Sequence, residues 1–281
     1  MKFRLSFLQV LIIAGLVLGL SAGAALAGEV QTQLVKESTL EQIMKRGTLR
    51  VGFSTFIPWA MKNKKGEFIG NEIDVATKLA EDMGAKVEFV NTQWSGIIPA
   101  LLTGKFDIII GGMAMTPERN LKVNFTVPYY YARGALVANR KLCEPFNPTK
   151  LEDFNRPEVV FAERMGSTPV EFVQKHLPKA QVRLFDDQAP AYQELRNAKA
   201  YAIIGDAPRP FFEALDYPDL FYLPLGKQAV YELAISFALK KGDPDWLNYL
   251  NNWITYRRTD GWIQERYDYW FTTKEWEDQI K

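Results

Sequence analysis

The stretch FDIIIGGMAMTPER, residues 106–119, passes from an almost wholly apolar run into a glycine pair and then into a proline-led turn. An apolar run of that kind suits a parallel strand buried on both faces. The Gly111–Gly112 pair lets another molecule approach the main chain closely. Thr116-Pro117 then starts a helical turn whose free N–H groups favour an anion, with Arg119 in that first turn. A planar guanidinium beside free N–H donors is suited to gripping a carboxylate bidentately. The other reading of Arg119 is a surface arginine paired with Glu118 or another carboxylate.

Outward from this stretch the chain alternates strand and helix. Upstream, Thr39 to Gln42 reads as a capping box opening a small helix that Gly47 ends. Residues 48–54 read as a strand, and 73–83 as a helix with Ile73, Ala76, Ala80 and Met83 on one face and Gly84 as its stop. A strand at 86–91 and a helix from Ser95 to Gly104 follow. Downstream, Thr149 with Glu152 makes another capping box, 158–162 is a strand, and Thr168-Pro169-x-Glu171 opens a helix. A helix at 187–197 and an apolar strand at 200–205 complete a second α/β series. The last third holds a strand at 231–239, a helix opened by Asp243-Pro244 and another by Asp260-Gly261, whose tryptophans and tyrosines read as packing residues. The fold class is therefore α/β, in two successive units.

The first residues have the plan of a cleavable secretory signal: Lys2 and Arg4, an apolar run from Leu8 to Leu20, and Ala25-Leu26-Ala27 as a small-x-small end. Cleavage is expected after Ala27, which leaves 254 of the 281 residues, enough for one large domain or two of about a hundred residues each. Loss of Lys2 and Arg4 leaves 32 basic residues against 33 acidic ones, a balance that argues against a nucleic-acid partner. Cys143 is the only cysteine, so no internal disulfide can form. His176 is the only histidine, and neither metal ligation nor a nucleophile elbow is patterned, so neither metal nor cofactor is expected.

The segment Gly111-Gly112-Met113-Ala114-Met115-Thr116-Pro117-Glu118-Arg119, continued by Val123-Asn124-Phe125-Thr126-x-Pro128-Tyr129-Tyr130, resembles the signature of the periplasmic amino-acid-binding proteins of ABC transporters. Gly66-x-x-x-Gly70-x-Glu72-Ile73-Asp74, Trp94-Ser95-Gly96-Ile97-Ile98-Pro99-Ala100-Leu101, Gly166-Ser167-Thr168, Ile204-Gly205-Asp206-Ala207 and Trp270-Phe271 extend the match over nearly the whole chain, in order. The resemblance implies a two-lobed, Venus-flytrap fold that captures an amino acid by hinge closure and hands it to a permease in the inner membrane, acting as a monomer. The expected lobes are 39–130 plus 233–281 and 134–228, joined by crossings near 131–133 and 229–232.

Within that resemblance Arg119 takes the ligand carboxylate and Asp206 its α-ammonium. Asp206 also reads as a helix cap ahead of Pro208. Thr168 offers N–H groups from the opposite wall, or caps its helix. Gly112 and Ala114 belong to the ligand loop. Phe56 and Trp94 fall where the family places aromatic rings against the ligand, with Trp59 a further candidate; core packing is the rival role for each.

Several residues depart from the family pattern. Ala114 stands where a hydroxyl is common, and Asn71 replaces the usual aromatic. Ser54 stands where binders of basic amino acids carry an aspartate, which disfavours a cationic cargo. Arg164 falls at a cleft position that can meet the ligand side chain, favouring glutamate, aspartate or a polar amide, although a solvated arginine is equally readable. The expected cargo is thus a polar or acidic L-amino acid. Because some proteins resembling this fold are dehydratases, binding does not follow from fold alone; a soluble sensor partner is a third reading.

Overall fold

The computed structural model describes residues 38–280; the expected leader and its cleavage site lie outside the described residues. Among those residues no helix is long and apolar enough to cross a membrane. The chain runs through β1 (Thr48–Phe53), a hairpin of β2 (Met61–Lys62) and β3 (Phe68–Ile69), β4 (Lys86–Asn91), β5 (Ile108–Ile109) and β6 (Asn124–Phe125). A long β7 (Tyr130–Asn139) leads to β8 (Val160–Arg164), β9 (Gln181–Phe185), β10 (Ala202–Asp206) and β11 (Phe221–Tyr222). The chain returns through β12 (Tyr231–Ile235) and β13 (Ala238–Leu239).

Apart from the β2–β3 hairpin, these strands form two mixed sheets, one per lobe of a two-lobed α/β fold. The first has the order β4-β1-β5-β13-β6 and the second β11-β7-β10-β8-β9, with β12 added along β7. In the first sheet β1 runs parallel to β4 and β5, and β13 enters antiparallel between β5 and β6. Isoleucines 108–110 are buried, as an apolar run in a central strand requires. Regular pairing covers only Ile108–Ile109 rather than 106–110. Asp107 turns its carboxylate to Arg46 and Arg50 at one end (2.7 Å to Arg50), and the glycine pair opens the loop at the other.

The aromatic C-terminal third closes the first lobe. Helix Pro244–Thr259 seats Trp246, Leu250, Trp253 and Ile254 in the largest core cluster, beside Trp270, Phe271 and Trp276. Burial of Leu250 or Ile254 contributes about 1.5–3 kcal/mol each. Two indole N–H groups find carboxylates, Trp253 donating to Asp82 (2.8 Å) and Trp270 to Asp74 (2.7 Å), while Trp276 donates to the carbonyls of Trp270 and Thr273.

Helix starts differ from the sequence expectation by small but physical amounts. Ser38, not Thr39, caps the first helix, its hydroxyl accepting from the Glu41 N–H, while the Thr39 N–H is held by Asp243 (2.7 Å). Residues 151–154 make a 3₁₀ turn in which Asp153, rather than Glu152, accepts from the N–H groups of Thr149 and Lys150. The expected strand 231–239 is broken at Ser236-Phe237. Its first half stays in the second sheet and its second half enters the first, as Ser236 donates to the Met113 carbonyl and Phe237 to the Thr126 hydroxyl.

The two connections between the lobes lie side by side. Residues 130–134 of β7 pair antiparallel with 231–235 of β12, in the register Tyr130↔Ile235 to Gly134↔Tyr231. At Gly134 a Cβ would stand 2.4 Å from the Tyr231 ring, so the ring rests directly on bare backbone. We therefore expect Gly134→Ala to displace that ring at a cost of about 1–3 kcal/mol, the usual penalty of overpacking. Urea denaturation measures it, and an unchanged midpoint would show that the ring is free to move.

Candidate ligand-binding site

A cavity lies between the lobes at the ends of β5, β8 and β10. The first lobe contributes Phe56, Trp94, Gly112, Ala114 and Arg119; the second contributes Arg164, Thr168 and Asp206, together with Glu163, Ser167 and Gln188. The cleft is closed to a cavity of about 20 Å³, about the room of one water. Two candidates from the sequence do not line it. Trp59 is packed in the core, stacked on Phe56 (4.4 Å, 13°) and donating to the Tyr130 hydroxyl (2.6 Å). Ser54 is buried, and its hydroxyl has no hydrogen-bond partner.

The Gly112 loop is held from behind by a buried carboxylate. Glu72 accepts from the Gly112 N–H (3.0 Å), the Asn71 side-chain amide (2.9 Å), the Tyr130 hydroxyl (3.3 Å) and the Tyr129 hydroxyl. Burial pushes its pKa up, and those donors, Tyr129 foremost, pull it back. Gly112 has φ 66°, and a Cβ there would meet the Phe56 ring at 2.9 Å, so both conformation and space demand glycine. Asn71, which departs from the family pattern, has here a definite task as one of the Glu72 donors.

Arg119 follows from the same loop. The Thr116 hydroxyl accepts from its backbone N–H (3.3 Å) and caps the short helix Pro117–Asn120. Its guanidinium donates to the Ala114 carbonyl (2.9 Å) and, across the cleft, to the Gly166 carbonyl (3.1 Å). Trp94 Nε1 donates to that same Gly166 oxygen (3.2 Å), so one carbonyl of the second lobe receives two donors of the first. Gly166 takes φ 74°, and a Cβ there would touch Ser95 at 3.4 Å.

On the facing wall, Asp206 ends β10 and accepts from the Tyr231 hydroxyl (3.0 Å). It does not cap the next helix, Arg209–Asp216, whose N-cap is Pro208. Burial raises the Asp206 pKa, opposed by the Tyr231 hydrogen bond and then by Arg164 and Arg119. Helices Thr168–His176 and Gln188–Arg196 both begin at the cavity, and the first N–H groups of a helix have no intrahelical partner. The N-cap of the first is Ser167 rather than Thr168.

Glu163 was not singled out from the sequence. It is 3 % exposed, its carboxyl accepts from the Ile204 N–H (2.8 Å), and burial holds its pKa well above the usual glutamate range. The Ile204 donor opposes that shift, and Asp206 adds to it. An acid-base pair, Glu163-Arg164, at the carboxyl end of the apolar run VVFA was the available signal. Tyr231 left no such signal, because its partner lies 25 residues away and is met only through the sheet.

Comparison with known proteins agrees with this architecture. Residues 49–273 match the model of the bacterial extracellular solute-binding proteins, family 3. The chain belongs to that family. It is similar to the crystal structure of an ancestral amino acid-binding protein that was a precursor of cyclohexadienyl dehydratase, with 40% identity, 83% of this chain and 99% of that one covered, and a TM-score of 0.75. A binding component of an ABC transporter from Wolinella succinogenes, complexed with lysine, is 35% identical over 83% of this chain and 99% of its own, with a TM-score of 0.76. Cyclohexadienyl dehydratase of Pseudomonas aeruginosa is 26% identical over 236 residues, 84% of this chain and 87% of the enzyme.

The buried acid gives the family member a pH signature. Because the folded state raises the Glu163 pKa, the stability it lends is complete below the unfolded glutamate value of about 4.3 and is lost as pH rises through the folded value. Glu163→Gln retains an acceptor for Ile204 and removes the titration. Its melting temperature should fall less than that of the wild type from mildly acid to alkaline pH; parallel curves would refute the assignment.

Proposed function

We propose that this protein captures a polar or acidic L-amino acid in the periplasm and delivers it to an ABC-transporter permease in the inner membrane. It would act as a monomer without a cofactor, after removal of a signal peptide ending at Ala27. The observation that carries this reading is that Arg119 and Asp206, from facing lobes, border one cavity. A guanidinium and a carboxylate so disposed match the two ends of a zwitterion. Thr168, Ser167 and Gln188, at two helix starts, supply further donors for an anionic group. Phe56 and Trp94 form the apolar wall.

Closure follows from where the groups reside. Contacts with both walls exist together only when the lobes meet, so a bound ligand favours the closed form by its differential affinity for the two states. The paired crossings, 130–134 and 231–235, are the hinge in this scheme. The finer choice of a polar or acidic side chain rests on Arg164, whose buried guanidinium borders the cavity without a paired carboxylate.

A second reading has one specific observation in its favour. Dehydration needs a neutral carboxylic acid beside the leaving hydroxyl, and Glu163 is a cavity carboxyl whose pKa burial raises well above the usual glutamate range. The enzyme relative makes a cyclohexadienyl acid the compound to try.

A thermal-shift screen against the common amino acids is expected to give a clear hit, since a ligand that binds only the native state raises the melting temperature. With that ligand, Arg119→Ala should weaken binding by about 2–5 kcal/mol in calorimetric titration. Asp206→Asn should weaken it comparably while leaving the empty protein folded. Near-normal affinity in either folded variant would sink the clamp, and turnover of a cyclohexadienyl acid without amino-acid binding would favour the second reading.

A further inference from the structure

Arg164 sits at the end of β8 in the second lobe, yet its guanidinium crosses the cleft to the first. Its central carbon is 4.4 Å from the centroid of the Trp94 ring and 4.8 Å from that of Phe56. The residue is 7 % exposed, and its Nε and Nη1 groups have no hydrogen-bond partner. Burial lowers its pKa to about 10, with Asp206 opposing and Arg119 reinforcing the shift, so it stays charged at neutral pH.

Aromatic faces attract cations through the ring quadrupole, more strongly where water is excluded. Both rings belong to the first lobe. Phe56 is braced from behind by the stacked Trp59, and Trp94 is tied by its indole N–H to Gly166. The pair is therefore a cation-binding surface built by one lobe and met by a cation of the other. A cationic cargo side chain would compete with Arg164 for the same rings and be repelled by its charge. An anionic or amide side chain would instead meet two unpaired N–H donors.

We propose that Phe56 and Trp94 form a cation slot which this chain fills with its own Arg164, so that the cleft rejects lysine- and arginine-like cargo and admits acidic or amide side chains. The proposal rests on the reading of Arg119 and Asp206 as the clamp for the amino acid's main-chain groups. Arg164 is then a selectivity switch. Without it, the same rings receive a cation from the ligand.

Calorimetric titration of the full chain with L-glutamate, L-glutamine, L-arginine and L-lysine tests this in wild type, Arg164→Ala and Arg164→Met. Wild type should bind glutamate or glutamine at least tenfold tighter than arginine or lysine. Arg164→Ala should lose at least tenfold towards glutamate and gain at least tenfold towards arginine or lysine. Arg164→Met, which keeps the slot filled but uncharged, should lose glutamate binding without the full gain towards arginine; it also serves if the alanine variant fails to fold. A wild type that binds arginine as tightly as Arg164→Ala does, or a folded alanine variant with unchanged selectivity, overturns the switch while leaving the clamp intact. A wild type that binds no amino acid overturns both.

Discussion

Everything at the cleft depends on the antiparallel pairing of two short chain segments, 130–134 with 231–235. This ladder joins the lobes and also touches the loops that border the cavity. Ala114 bridges to Ile235, and Met115 donates to the Ala234 carbonyl (2.9 Å), which ties the Arg119 loop to the returning segment. On the other side, Ala207 donates to the Arg133 carbonyl (2.8 Å), and Tyr231 holds the Asp206 carboxylate. A rotation about these segments therefore moves the two walls while each wall keeps its own anchoring. The crossings and the loops that border the cavity are tied to the same backbone.

The charges in the cleft form a graded series. Arg119 is satisfied by two carbonyls, one from each lobe. Asp206 accepts from a tyrosine hydroxyl and Glu163 from one backbone N–H, and burial raises the pKa of both. Arg164 lies against two aromatic faces, and its Nε and Nη1 have no hydrogen-bond partner. Burying an ion costs free energy unless it is paired and hydrogen-bonded, and the cost grows as the partners grow poorer. The group with the poorest partners is the one with most to gain from an incoming anion or amide. That ordering underlies the polar or acidic cargo proposed above.

Beneath the cleft, Glu72 does for the loop what the ladder does for the lobes. Its carboxylate collects four donors from four separate residues, one of them the Gly112 amide. Two of the others, Tyr129 and Tyr130, stand at the entrance to the first crossing. The Gly112 loop and the start of the first crossing thus share a buried anchor in the first lobe. A fully satisfied buried polar network of this kind rigidifies its surroundings, at the risk of a steep cost if one member is lost.

The α/β alternation and the burial of isoleucines 108–110 were legible along the chain, because each is written in local pattern as apolar runs and caps, whereas the φ of 66° and the Phe56 ring that demand glycine at 112 came only with the fold. Helix starts moved by a residue where a neighbouring hydroxyl or carboxylate proved the better acceptor, as at Ser38 and Asp153. The Trp59 reading as a wall residue gave way to packing, since Phe56 shields it from the cavity and Tyr130 claims its N–H. By itself, then, the sequence determined the family, the order of the elements and the residue types brought to the cleft. Only the tertiary structure decided that Tyr231 meets Asp206, that Glu163 takes the Ile204 N–H, and that Arg164 reaches the rings of the opposite lobe. Those contacts join residues tens of positions apart through strand register and lobe closure, which depend on the whole packed core and leave no periodic trace in any short segment.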